Sequence, residues 1–156
     1  TLSSGTFSAP DQFIKVLFYG AVVSSTTLGI TCNNSNGADE YAYSSFRDYT
    51  TTTGGDIEKS MGYLTGVATG NPCFLEMSGY NGGETDDKLF NITTCANTTT
   101  GATRPISYQS SSKYYGGDYI TSFEMVDANP GTVVDFASGS RLLVLGCPSW
   151  TNYQNG

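Results

Sequence analysis

Apolar residues recur at every second position through much of this chain. Ile14, Val16 and Phe18 alternate with Phe13, Lys15, Leu17 and Tyr19, and Tyr119, Thr121, Phe123 and Met125 alternate with Ile120, Ser122, Glu124 and Val126. A period of two sends successive side chains to opposite faces of an extended backbone, so both segments are predicted strands. Alternation or a short apolar run marks further strands at 28–32, 63–68, 73–77, 88–95, 105–109, 132–137 and 141–147. Turn signals separate them, among them Asn36-Gly37, Gly54-Gly55, Asn81-Gly82-Gly83, Gly116-Gly117 and Asn129-Pro130-Gly131. The stretch 56–64 has room for a helical turn or two, and the threonine run 50–53 before it reads as a loop. Many short strands with Gly/Pro punctuation predict an all-β chain: an antiparallel β-sandwich, jelly-roll or Ig-like, with at most one short helix. No repeat or linker divides residues 1–156, so one domain is expected.

The segment 13–19 is apolar on both faces, and 142–145 has the same character. A two-layer sandwich buries one face of each strand. The other face needs a cover, either a long loop of the same chain or another copy of the molecule. The second alternative makes residues 1–20 a candidate assembly segment, lending a strand to a neighbour or packing on it. Phe13, Lys15, Leu17 and Tyr19 are the candidate interface.

Cysteines at 32, 73, 95 and 147, with no histidine anywhere, change the picture further. An even cysteine count in a short chain predicts two disulfides and an oxidising compartment. Nested pairing (Cys73 with Cys95, Cys32 with Cys147) and sequential pairing (Cys32 with Cys73, Cys95 with Cys147) both remain open. The absent histidine removes the commonest general base and metal ligand. No closely spaced cysteine pair suggests zinc, so neither metal nor cofactor is expected.

Charged residues are 13% of the chain, the net charge is −7 and the pI about 4.2. Such a surface repels phosphate backbones, which argues against nucleic acid and against anionic membranes. No apolar run approaches the roughly 20 residues of a membrane-spanning helix. Few charges, many hydroxyls and amides, and an opening Thr1 without a leader predict a mature secreted protein. Sequons begin at Asn33, Asn91 and Asn97, and the runs 50–53, 98–100 and 110–112 are candidate O-glycan sites. Asn91 qualifies only where the strand face opposite Phe90 and Ile92 meets solvent.

The acidic group at 84–87 reads as a solvated loop. Glu76 and Glu124 are the only carboxylate pair to nominate for glycosidase chemistry, and the expectation is no enzyme. Tyrosine is abundant, and Tyr114, Tyr115, Asp118 and Trp150 are candidate sugar-binding residues, with aromatic faces for stacking and a carboxylate for hydroxyls. Two functions follow from the sequence. The first is a secreted, disulfide-stapled, glycosylated subunit that self-assembles into an extracellular fibre, coat or appendage. The second is a carbohydrate-binding or adhesin-like module.

Overall fold

The computed structural model of the chain describes residues 2–7, 11–24, 26–35, 40–47, 50–52, 60–82, 85–97, 105–128 and 134–148. Among these residues the chain forms strands and no helix. The strands are β1 (Leu2–Ser3), β2 (Asp11–Ala21), β3 (Thr26–Cys32), β4 (Tyr41–Arg47), β5 (Thr50–Thr52), β6 (Tyr63–Val67), β7 (Pro72–Tyr80), β8 (Lys88–Ala96), β9 (Ile106–Tyr114), β10 (Phe123–Asp127) and β11 (Arg141–Pro148). A four-stranded sheet runs β1-β10-β3-β6, and a seven-stranded sheet runs β11-β2-β7-β8-β9-β4-β5. Every pairing is antiparallel.

The alternation explains the layering. Ile14, Val16 and Phe18 of β2, Leu75 and Met77 of β7, and Phe90 and Ile92 of β8 turn inward from the large sheet. Leu28 and Ile30 of β3 and Phe123 and Met125 of β10 meet them from the small sheet. Phe90 and Phe123 pack edge to face across the layers, with ring centroids 6.1 Å apart. The result is a β-sandwich, as the patterning predicts, with unequal sheets of four and seven strands.

Several expectations need correction. The threonine run holds β5, paired with β4 at Ser45↔Thr52 to Arg47↔Thr50, so it is not all loop. In the expected helical stretch, 60–62 are irregular and Tyr63–Leu64 begin β6, while 56–59 lie outside the described residues. The expected strand from Tyr119 starts only at Phe123. Of 132–137, the described part makes a single bridge, Phe136 to Val22. The strand β4 has no counterpart in the sequence reading, and β9 continues through 110–112 to Tyr114.

The two expected disulfides are not found. Cys32, Cys73 and Cys95 carry free thiols, and the Cys147 side chain lies outside the described residues. The sheet register gives the reason. Cys73 pairs with Ala96 while Cys95 pairs with Phe74, an offset of one residue that turns the two thiols to opposite faces. Cys73 is buried in the core and Cys95 is half-exposed outside it. Cys32 touches Tyr41, which stands in register with Tyr114 and Lys88, whereas Cys73 lies at the Ala96 end. Eight residues of strand separate those ends, about 27 Å at the usual rise. Cys147 pairs with Phe13, six residues along β11 from Arg141, the position in register with Phe74 and Cys95.

The segment 13–19 sits inside the large sheet. β2 is hydrogen-bonded on both sides within its own chain, to β11 and to β7, so it has no free edge to offer.

Candidate functional site: the outer face of the large sheet

Inward residues on β2, β7 and β8 leave their sequence neighbours facing away from the core. Antiparallel register aligns these into rows across the sheet. One row reads Phe13, Tyr80, Leu89, Lys113, Ala42. The next reads Leu145, Lys15, Ser78, Asn91, Ser111, Ser44. Then come Leu143, Leu17, Glu76, Thr93, Gln109 and Phe46, and finally Arg141, Tyr19, Phe74, Cys95 and Ser107. The outer face therefore has an apolar ridge at Phe13–Tyr80–Leu89, an aromatic pair at Tyr19 and Phe74, and a band of small polar side chains between.

None of the large apolar side chains here is covered by the described part of the chain. Leu89 is 62% exposed, Tyr19 60%, Leu143 50% and Phe13 39%. Two ion pairs lie on this face. Lys15 Nζ stands 2.7 Å from Glu76 Oε1, and Lys113 pairs with Asp87 while its ammonium lies 4.4 Å from the Tyr115 ring centroid. The Asp87 carboxylate raises the Lys113 pKa above its ordinary value. Beside the ridge lies a furrow of about 640 Å³, lined by Phe13, Tyr80 and Leu89 and by Ser78, Asn91, Ser111 and Lys113.

The four proposed interface residues thus share one face, with Phe13 and Tyr19 exposed and Lys15 and Leu17 half-exposed. Leu143 and Leu145, from the doubly apolar 142–145, join them, as do Phe74, Tyr80 and Leu89, which were not singled out from the sequence. Their signal was present: each sits an odd number of residues from a core position on its own strand.

The sugar-binding quartet is not brought together. Tyr114 is 5% exposed and stacks on Tyr41 inside the core, centroids 5.3 Å apart, so it offers no platform. Tyr115 and Asp118 are exposed, and Trp150 lies outside the described residues. Glu76 and Glu124 occupy the outer faces of different sheets, with the sandwich between them, and cannot flank one cleft. Glu84 lies outside the described residues, and the described residues contain no cluster of His, Cys, Asp or Glu fit to hold a metal ion. No described helix is long and apolar enough to cross a membrane.

The three sequons differ in setting. The Asn33 amide donates to Tyr119 O at 2.9 Å and accepts from Thr121 N at 2.8 Å, so both its ends are engaged. Asn33 sits at φ 53°, a left-handed conformation that asparagine tolerates. Asn91 is exposed within the outer face, where Ser111 Oγ donates to its Oδ1 at 3.3 Å. Asn97 is half-exposed just past β8. Ser110 and Ser112 are buried, so of that candidate O-glycan run only Ser111 faces outward; 98–100 lie outside the described residues.

The segment 115–122 closes one end of the sandwich. Asn33 holds it from the small sheet, and Asn81 from the large one, donating to Ile120 O at 3.1 Å and accepting from Ile120 N at 2.9 Å. Lys88, fully buried, donates to Gly116 O at 3.1 Å. Beneath it, burial pushes the Cys32 thiol up to about 12 despite the opposing Tyr41 hydroxyl contact. Burial likewise moves Cys73 to about 12 and Tyr114 to about 12, and raises Tyr41. Thiols held protonated in this way are poor nucleophiles. Compared with protein-family models, with curated proteins and with solved structures, the chain matches none of them.

Proposed function

We propose that this chain is a structural subunit that self-associates through the outer face of its large sheet, within an extracellular fibre, coat or appendage. The observation that carries the reading is the uncovered set Phe13, Tyr19, Phe74, Tyr80, Leu89, Leu143 and Leu145 on one surface. Half-exposed side chains of this size present about 700 Å² together, near the roughly 800 Å² per partner of a standard interface. Exposed apolar side chains gathered on one face to that extent mark an interaction site. A copy of the same face is the natural cover, because Lys15 and Lys113 are already paired internally and leave no excess acidic or basic field for an oppositely charged partner. The secreted setting is supported by composition; the free thiols withdraw the support that disulfides would have lent. Glycosylation is assigned to Asn97, since a glycan on Asn91 would stand in the middle of the contact and the Asn33 amide is engaged.

Sedimentation velocity over a range of concentrations tests this. Wild-type protein is expected to form larger species as concentration rises, and Phe13→Asp with Tyr19→Asp to form markedly smaller ones, with an unchanged circular dichroism spectrum. Wild-type protein that stays monomeric at every concentration sinks the proposal. Intact mass before and after deglycosylation, with Asn97→Gln as control, tests the glycan.

The furrow supports a second reading, a carbohydrate-binding module. Its Phe13 and Tyr80 walls offer stacking surfaces, and Asn91, Ser111 and Lys113 offer hydrogen bonds. A glycan array with wild type and Tyr80→Ala separates the two. Specific binding by a monomer, lost in the variant, favours this alternative.

A further inference from the structure

We propose that β11 is a pairing edge for the β11 of a second copy, running antiparallel about a two-fold axis at Val144 and fusing two large sheets into one. This specifies how one pair of copies joins within the assembly proposed above, and so rests on that reading.

β11 is the terminal strand of the large sheet, hydrogen-bonded to β2 on one side and to no described strand on the other, with β1 of the small sheet lying close to it. Its unpaired backbone groups form a ready template for another strand. Protein edges are ordinarily blunted by lysine, proline, a bulge or extreme shortness. Between Arg141 and Cys147, β11 has none of these: the intervening residues are Leu, Leu, Val, Leu and Gly, in unbroken register with β2. The opposite edge of the same sheet, β5, is only three threonines.

Three features point to the strand's own copy as occupant. The first is register. A two-fold axis normal to the sheet pairs residues of like face, so paired residue numbers must differ by an even count. Register is regular from Arg141 to Cys147 and shifts at Pro148, which centres the axis on Val144. Leu143 then stands beside Leu145 of the second copy, and Leu142 beside its Gly146. The second feature is charge. Arg141 is the only charged residue of β11. The two-fold places the two arginines six residues apart, about 20 Å, where repulsion is screened. The third feature is continuity. The row ending in Leu17 and Leu143 continues across the junction into Leu145 and Lys15 of the second copy, extending the outer face without a break.

A two-fold edge contact closes on itself. Growth beyond a pair requires a second contact, and the outer face supplies it. Two different isologous contacts in alternation build an open chain.

Disulfide trapping tests the inference. Leu143→Cys and Leu145→Cys are prepared separately in protein carrying Cys95→Ser and Cys147→Ser, then oxidised with diamide alone and as an equal mixture. Both side chains are half-exposed, so the fold is expected to survive; circular dichroism checks it. The mixture is expected to give severalfold more cross-linked dimer than either variant alone. No excess in the mixture, while sedimentation still shows assembly, overturns the edge pairing and leaves face association standing. Equal cross-linking in Leu143→Cys alone overturns the Val144 register. No cross-link in a protein that stays monomeric overturns both.

Discussion

Cys32 and Tyr41 meet in the core with Sγ and Oη 3.7 Å apart, while Tyr41 Oη donates to Ser35 O at 2.7 Å and accepts from Cys32 N at 3.1 Å. Their titration carries a stability consequence. An unfolded thiol ionises near pH 9, whereas folded Cys32 and Cys73 ionise only near about 12. Both are protonated in either state below pH 9, so their stabilising contribution is complete there. As pH rises from 9 toward 12, the unfolded chain releases protons that the folded chain retains, and stability falls. The limit is about 4 kcal/mol per thiol, three pH units at 1.36 kcal/mol each. Urea unfolding at pH 8 to 10 should show a falling midpoint, and Cys32→Ala with Cys73→Ala should shrink the fall to the part that Tyr41 and Tyr114 contribute. A flat wild-type profile would show the thiols to be solvated or bonded. Asn81 makes the second residue-level prediction. Asn81→Ala strands the buried N–H and C=O of Ile120, at about 1–3 kcal/mol each, so chemical denaturation should show a loss of roughly 2–6 kcal/mol. Asn33→Ala should cost less, because its partners are only partly buried.

Within single strands, parity outranks hydrophobicity. Phe90 and Ile92 turn β8 inward at even positions, which forces Lys88 into the core and Leu89 out to solvent. Close packing between neighbours sets a second constraint at Gly79 of β7. A Cβ there would run into Leu89 O and the Phe90 ring, and the obstacle is partly backbone. Gly79→Ala should therefore lower the melting temperature by the equivalent of about 1–3 kcal/mol, the usual cost of overpacking. The strands legible in the sequence were those with alternation or a short apolar run: β2, β3, β6, β7, β8, β10, β11 and the near half of β9. The unread ones, β4 and the far half of β9, turn Ser45, Ser110 and Ser112 inward. Serine suits that region because the 60–62 segment crosses close above it, with Gly62 near both Ile92 and Ser110. Hydroxyls in a tight space leave no hydrophobic period to find. The apolar double face of 13–19 was legible, but its companions on β7, β8 and β11 came together only through register. Cysteine count misled for a related reason: it holds no information about which face or which end a thiol occupies.

For the molecule as a whole, charge and apolar surface oppose each other in any association. Each copy carries −7, so copies repel at long range. The outer face itself contributes little to that repulsion, since Lys15 pairs with Glu76 and Lys113 with Asp87. Attraction between faces must then come from apolar burial, which salt does not weaken. Added sodium chloride screens the net repulsion, so self-association should tighten between low and physiological ionic strength. An interface held by ion pairs would loosen over the same range. Because assembly binds only the folded chain, it also couples to stability. Each tenfold rise in concentration above the dissociation constant should stabilise a dimer by about 1.4 kcal/mol, and the melting temperature should climb with it. Scanning calorimetry of wild type across two decades of concentration should show that climb, and the protein with Phe13→Asp and Tyr19→Asp should show a smaller one. A wild-type melting temperature independent of concentration, or association that weakens as salt is added, would leave the apolar face without its assigned role.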